Sequence, residues 1–305
     1  MSATIVETNI PGAERAGYGS DARPRIGFFT DTSLCIGCKA CEVACKEWND
    51  VPDDVQGFTG ESYDNSGALG PNRWRHVAFI EQRKPLGVTE AAPDSLVQEA
   101  ALQGLVEEAG LPTETDGAIR WLMSSDVCKH CSEAACLDVC PTGALFRTEF
   151  GSVVVQDDVC NGCGYCVVAC PFGVLDQRRG DGRVWKCTLC YDRLKDDLEP
   201  ACAKACPTDS IQFGELTELR ERAAARVATL HERGVTDARL YGADEHDGVG
   251  GNGAFFLLLD EPEVYGLPPD PVVPTRDAVR MWKFVGGAAL AFIAAAVGSF
   301  MGGAR

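Results

Sequence analysis

The chain is 305 residues long, carries a formal net charge of −17 and contains sixteen cysteines. That length suits about two domains around a buried core, and the acidity argues against a nucleic-acid partner. A disulfide-stapled secreted module is excluded by size, because frameworks of that kind belong to far shorter chains.

Residues 1–25 are polar and punctuated by Pro11, Gly12, Gly17, Gly19 and Pro24, with no apolar stretch long enough for a signal peptide. They read as a flexible arm. Ile26 to Thr30 is a short apolar strand leading into Cys35-x2-Cys38-x2-Cys41-x3-Cys45, after which Glu42 to Trp48 continues as a helical turn that carries Cys45 away from its neighbours. Trp48 reads as a packing residue. Residues 49–75 are loop-like and include Ser62-Tyr63-Asp64-Asn65. Strand pattern returns from Trp74 to Glu81. An acidic helix follows over 93–110, closed by Gly110 and Pro112. Strand pattern resumes at 118–123.

The second run is Cys128-x2-Cys131-x4-Cys136-x3-Cys140-Pro141, and a hairpin turning near Phe150-Gly151 separates it from the third. That third run, Cys160-x2-Cys163-x2-Cys166-x3-Cys170-Pro171, is followed by Cys187-x2-Cys190-x11-Cys202-x3-Cys206-Pro207. Glu215 to Gly234 is a polar helix with Leu216, Leu219, Ala223, Val227 and Leu230 on its inner face. A glycine-rich bend at 248–253 fits neither G-x-G-x-x-G nor a Walker loop. Phe255 to Leu259 is a buried strand, and 261–275 are proline-rich and extended. Phe284 to Gly303 then runs twenty residues without a charge, enough to span about 30 Å as a helix, the thickness of a bilayer's hydrocarbon core.

The third run places three thiolates within seven residues and a fourth one helical turn later, before a proline. That spacing suits a [4Fe–4S] cluster held from a tight loop, with Gly162 and Gly164 permitting close backbone approach and Cys170 pointing to a second cluster. Zinc more often draws two cysteines from each of two distant knuckles. Disulfide frameworks rarely crowd four cysteines into eleven residues. All sixteen cysteines fall into four groups of four, each ending in C-x3-C. Internal repetition of that kind points to metal. His130, inside a cysteine run, reads as structural or as a neighbour of a ligand. No Ser/His/Asp or Cys/His arrangement suggests a nucleophile, so the chain reads as an electron carrier and not an enzyme by itself.

The stretches CIGCKACEVACKEWN (35–49), SYDN (62–65), 161–172, VWKCTLCYDR (184–193), GVGG (248–251) and GLPPDP (266–271) together resemble the iron–sulfur (beta) subunit of membrane-bound respiratory formate dehydrogenase. The likeness spans about residues 26–303, with residues 84–116 as an insertion relative to it. It implies an α+β fold of two ferredoxin-like modules, each holding two [4Fe–4S] clusters, plus one C-terminal transmembrane helix. The outer module would comprise 26–83 and 175–260, the central module 117–174, a tether 261–283 and the membrane helix 284–303. The family nests its runs. Cys35, Cys38, Cys41 and Cys206 would share one cluster, and Cys187, Cys190, Cys202 and Cys45 the next. Cys128, Cys131, Cys136 and Cys170 would hold a third, and Cys160, Cys163, Cys166 and Cys140 the fourth. Sequence proximity supports the second pair of sets independently; the first pair rests on the resemblance.

By the same likeness, electrons enter from a molybdopterin-containing catalytic (alpha) subunit that oxidises formate. They leave to a membrane cytochrome b or similar quinone-reactive (gamma) subunit. The implied place is a bacterial cell membrane, crossed once, with the clusters outside the cytoplasm; Arg276, Arg280 and Lys283 before the helix point by charge to the cytoplasmic side instead. Related subunits serve dimethyl sulfoxide and polysulfide reductases and hydrogenases, which leaves a relay for one of those as the alternative. A zinc-binding structural protein is the rival of another class. Lys39, Lys129 and Lys186 each adjoin a ligand cysteine, and Lys204 stands two residues from both Cys202 and Cys206. Each is expected either to raise a cluster's potential or to lie solvated on the surface.

Overall fold

The computed structural model describes residues 15–16, 23–53, 60, 63–82 and 120–302. In chain order its elements are β1 (Arg15–Ala16), β2 (Arg23–Pro24), β3 (Ile26–Asp31), α1 (Ala40–Trp48), β4 (Arg75–Gln82), β5 (Arg120–Val127), α2 (Ala135–Asp138), β6 (Leu145–Arg147) and β7 (Val153–Val155). Then come α3 (Tyr165–Ala169), β8 (Asp176–Gln177), β9 (Val184–Trp185), α4 (Tyr191–Lys195), α5 (Ala201–Lys204), β10 (Ile211–Glu215), α6 (Leu216–Glu232), β11 (Arg239–Tyr241), β12 (Ala254–Leu258) and α7 (Ala278–Gly302). The candidate helix over 93–110 and the insertion 84–116 lie outside the described residues.

One four-stranded sheet organises the body, in the order β10-β3-β12-β11. β3 runs antiparallel to β10 and parallel to β12, so it is covered on both edges as well as both faces. That position explains its unbroken apolar run, since a strand buried on two faces has no polar side to alternate with. Its two phenylalanines serve different layers. Phe29 stacks on Phe255 at 5.3 Å and packs under α6 with Leu216, Leu219, Ala223 and Leu230. Phe28 faces the other way, into a core that contains Cys41, Cys45, Cys187 and Cys202. The sheet is therefore the wall on which the thiols are mounted. Gly27 allows this closeness, because a Cβ there would collide with the Gly253 carbonyl.

A second unit is the long antiparallel pair of β4 and β5, registered from Arg75↔Val127 to Gln82↔Arg120. It joins residues assigned from sequence to the outer module with residues assigned to the central one. The strand over 120–127 also runs further than its apolar pattern, through Ser124, Ser125 and Asp126 to the edge of the second cysteine run. Backbone pairing to β4 holds those polar residues in the ladder where their own propensity would not.

Three boundaries differ from the sequence reading. Arg25, the last residue of the expected flexible arm, is buried and donates to the Ser132 hydroxyl and the His130 carbonyl. The proline-rich stretch after 261 is not a free tether. Pro262–Tyr265 forms a 3₁₀ turn, Tyr265, Leu267 and Val273 are buried, and the Tyr241 hydroxyl donates to the Pro268 carbonyl at 2.6 Å. The apolar residues between the prolines have a surface to cover, and they cover it. α7 begins at Ala278, ahead of the expected Phe284, because Arg280 to Lys283 contains no helix breaker.

The register of β4 and β5 brings Gln82 opposite Arg120, so a short turn can close the ladder there. Replacing residues 84–116 by such a turn is expected to leave iron per chain unchanged. A loss of iron on analysis of the purified variant would make the insertion part of the cluster-bearing core.

Candidate functional site

Each cysteine run begins with the same backbone turn. Two residues after the first cysteine the chain enters the left-handed region, at Gly37 (φ 66), His130 (φ 46), Gly162 (φ 70) and Leu189 (φ 60). A histidine and a leucine in that region are held against their own preference, which happens where surrounding structure overrides local strain. The turn curls successive backbone N–H groups around one side of the loop, a geometry that suits a negatively charged guest.

The four turns present four groups of thiols. One cavity, with about 290 Å³ free of protein atoms, is lined by Cys35, Cys38, Cys41 and Cys206, with Val77, Ser125 and Ile211 completing the wall. Another, of about 300 Å³, is lined by Cys140, Cys160, Cys163 and Cys166. The other two groups are more deeply buried. Burial first, then Cys187, Cys202 and Cys190, push the Cys45 thiol well above its ordinary value. Burial and then Cys128, Cys136 and Cys170 do the same to Cys131. All sixteen thiols are free. They line the walls of spaces instead of meeting at a point. Among the described residues no group of three or more His, Cys, Asp or Glu is gathered closely enough to hold a single ion.

The donor chemistry fits an iron–sulfur cluster. Burial and neighbouring thiols push Cys166 up to about 11 and Cys187 up to about 12. A buried group of four thiolates needs positive charge at its centre to exist at neutral pH. Cluster irons supply that charge, one beside each sulfur.

The four lysines named from the sequence do not share one setting. Lys129 and Lys186 are buried, not solvated: Lys129 pairs with Asp126 and donates to the Val127 carbonyl at 3.0 Å, and Lys186 donates to the carbonyls of Val153 and Cys187. Lys186 favours the ionised form of Cys136, and Lys129 that of Cys170. Lys39 is tied to Asn65 and Ser66 at 3.2 and 3.0 Å and to Glu42 at 3.5 Å, which accounts for much of the SYDN stretch. Only Lys204 of the four is exposed. His130 is buried and its Nδ1 accepts from the Val153 amide at 3.0 Å, a structural role. Trp48 is half exposed, donates to Asp192 at 2.8 Å and lies under the Arg193 guanidinium at 4.1 Å.

Two residues escape a reading of the sequence. Arg75 is buried and donates to the Ser125 carbonyl and hydroxyl at 3.2 and 3.0 Å. The Ser125 hydroxyl is in turn 3.2 Å from the Cys41 sulfur. The available signal is an arginine and a serine at strand positions that end up facing inward, visible only once β4 and β5 are paired.

Family models described as "4Fe-4S dicluster domain" match residues 34–144 and residues 119–216. The nitrate-inducible formate dehydrogenase iron–sulfur subunit of Escherichia coli K12 is 39% identical over 267 residues, covering 86% of this chain and 78% of that protein. The formate dehydrogenase iron–sulfur subunit of Haemophilus influenzae is 37% identical over 296 residues, covering 93% and 83%. A component of the anaerobic dimethyl sulfoxide reductase of E. coli K12 is similar over less, 32% identical across 202 residues, covering 64% of this chain and 76% of that protein.

At Gly162 a Cβ would collide with the Gly182 carbonyl, whereas at Gly70 it would meet nothing within 4 Å. Gly162→Ala is expected to cost about 1–3 kcal/mol through left-handed strain and overpacking. It should lower iron and acid-labile sulfide per chain, and Gly70→Ala should leave both unchanged. Equal cluster content in the two variants would show that the turn is not required for assembly.

Proposed function

The chain belongs to the iron–sulfur subunits of formate dehydrogenases, and we propose that its sixteen cysteines hold four [4Fe–4S] clusters in a single line. It is an electron-transfer subunit of an oxidoreductase complex, not the catalytic subunit. The ligand sets are Cys35, Cys38, Cys41 and Cys206; Cys45, Cys187, Cys190 and Cys202; Cys128, Cys131, Cys136 and Cys170; and Cys140, Cys160, Cys163 and Cys166. The observation that carries this is the pair of cavities, each walled by four thiols drawn from two different runs. When bound, each cluster accepts and releases one electron without a change of protein ligand.

Electrostatic influence of one set on the next supports an order. Cys202 of the second set bears on Cys41 of the first, Cys128 of the third on Cys187 of the second, and Cys166 of the fourth on Cys136 of the third. The line then runs first, second, third, fourth. Its ends hold the two exposed ligand thiols, Cys38 and Cys163. Buried middles and open ends suit a relay that exchanges electrons with one partner at each extremity. In this reading the partners are a molybdopterin-containing catalytic subunit that oxidises formate and a quinone-reactive cytochrome b. Identity and coverage favour this relay over one serving dimethyl sulfoxide reductase. Isolation of the complex from its native membrane should yield a formate-oxidising large subunit. Co-isolation with a sulfoxide-reducing one would overturn the assignment.

Among the described residues one helix is long and apolar enough to cross a membrane, Arg280–Phe300 within α7, with mean hydropathy 1.7 and none of it buried against the rest of the protein. In the proposed arrangement this helix lies in the bilayer with the clusters outside the cytoplasm. Gly287, Ala291, Ala295 and Ser299 recur along one face and would let a partner helix approach closely; Gly303, the next in the series, lies outside the described residues.

Cys41 and Cys45 sit one turn apart on α1, yet belong to different sets. Cys45→Ala is therefore expected to damage the cluster of Cys187, Cys190 and Cys202 and to spare the third and fourth, as read by electron paramagnetic resonance of the reduced protein. Loss of a signal from the third or fourth instead would contradict the nested sets. Replacing Ala291 and Ala295 together by leucine is expected to release the protein from its membrane partner at unchanged cluster content. Full retention of the partner on detergent purification would mean that this face is not the interface.

A further inference from the structure

We propose that Arg75 is a shared counter-cation for two neighbouring clusters, those of the Cys35/Cys38/Cys41/Cys206 and Cys45/Cys187/Cys190/Cys202 sets, and that it sets their two potentials together. The inference rests on the four-cluster reading and adds to it a residue that ligates nothing.

Arg75 opens β4 opposite Val127, and its side chain is buried in the core that holds thiols of the first two sets. Its guanidinium lies 5.0 Å from the Phe28 ring centroid, and only 3% of the residue is exposed. One nitrogen, Nη1, is spent on Ser125, which holds the fork in place and touches the Cys41 sulfur at 3.2 Å. The other two, Nε and Nη2, are buried without a nitrogen or oxygen partner among the described residues. The guanidinium favours the ionised form of the Cys202 thiol instead. Two other arginines of the fold meet carboxylates, Arg120 that of Asp260 and Arg226 that of Asp31, while buried Arg25 spends its fork on the Ser132 hydroxyl and the His130 carbonyl. Around Arg75 thiols stand in that place. The Phe28 ring under the guanidinium shares one core with Cys41, Cys45, Cys187 and Cys202. One of those thiols belongs to the first set and three to the second.

An uncompensated cation in such a position is costly, and its compensation here is the negative charge of two thiolate-bound clusters. Each added electron makes a cluster more negative, so a fixed cation favours the reduced form and raises the potential. Arginine keeps its proton throughout, and the electron needs no proton to accompany it. Because one cation serves both sites, an electron passing from one to the other stays within the same field. Lys129 and Lys186, which bear on the third set, have their hydrogen bonds committed to Asp126 and to backbone carbonyls.

The test is a redox titration of the complete complex, followed by electron paramagnetic resonance, for the unmodified protein, Arg75→Gln and Arg75→Lys, with iron and sulfide measured on each. Arg75→Gln is expected to lower the potentials of two clusters, changing their reduced-to-oxidised ratio at least tenfold at fixed potential, which is about 59 mV for a one-electron couple. The other two should stay in place. Arg75→Lys, which keeps the charge, should move the same two together and by less than tenfold. Movement of none, of one alone or of all four in Arg75→Gln overturns the proposal. Should Arg75→Gln fail to load iron, Arg75→Lys decides on the same criterion: paired movement supports a shared cation, and movement of one cluster alone or of none refutes it. Iron and sulfide short of four clusters in the unmodified complex would overturn the four-cluster reading instead, a result distinguishable from unmoved potentials in a fully loaded protein.

Discussion

Sixteen thiols, all but Cys38 and Cys163 buried or half-buried, create an electrostatic problem that the rest of the fold must answer. Burial pushes the Cys35, Cys45, Cys131 and Cys187 thiols up, and crowding by their neighbours adds to it. A set of buried thiolates is stable only where positive charge is delivered to its centre and dipoles are arranged around its edge. Bound iron delivers the first. The repeated left-handed turn, buried Lys129 and Lys186, and Arg75 deliver the second.

The architecture follows from keeping those centres close without merging them. In the proposed nesting, first run with fourth and second with third, a short helix such as α1 would send Cys41 to one set and Cys45 to the next. Those two ligand positions stand about one helical turn apart on the element that divides the sites. The sheet around β3 provides a rigid apolar wall on one side, with Phe28 touching the thiol core and Phe29 locked under α6. The ladder of β4 and β5 provides the other wall, and through Arg75 and Ser125 it carries charge and hydrogen bonding to sulfur. Rigidity matters to a relay because electron transfer between fixed sites needs little rearrangement.

Much of this is legible in the cysteine spacing. C-x2-C-x2-C repeats a turn whose geometry is local, and its consequences at Gly37 and Gly162 follow from sequence alone. β3 and the inner face of α6 are equally plain, the first from an unbroken apolar run and the second from helical periodicity. What cannot be read depends on distant pairing. Arg75 lies in a strand that sequence places in one module, and its partner strand lies in the other. Nothing beside Trp74 and His76 marks the arginine as inward-facing until Val127 is placed opposite it and Ser125 opposite Val77. Lys129, Lys186 and Lys204 are alike in one dimension, each within two residues of a ligand cysteine. Only the packing of Phe172 and Phe256 over Lys129, and of the Val153 carbonyl against Lys186, separates the buried two from the exposed one. Arg25 is deceptive for a related reason. Its flanks have the composition of a loose arm, while its fork is fixed by residues more than a hundred positions away.

The central claim, that every cysteine is a cluster ligand, is tested most directly by counting the metal and the inorganic sulfur. Anaerobically isolated, full-length protein should contain about sixteen irons and about as many acid-labile sulfides per chain, with the visible charge-transfer absorption of iron–sulfur clusters. A colourless protein carrying stoichiometric zinc, or an iron content near half that value in protein with all thiols intact, would contradict it.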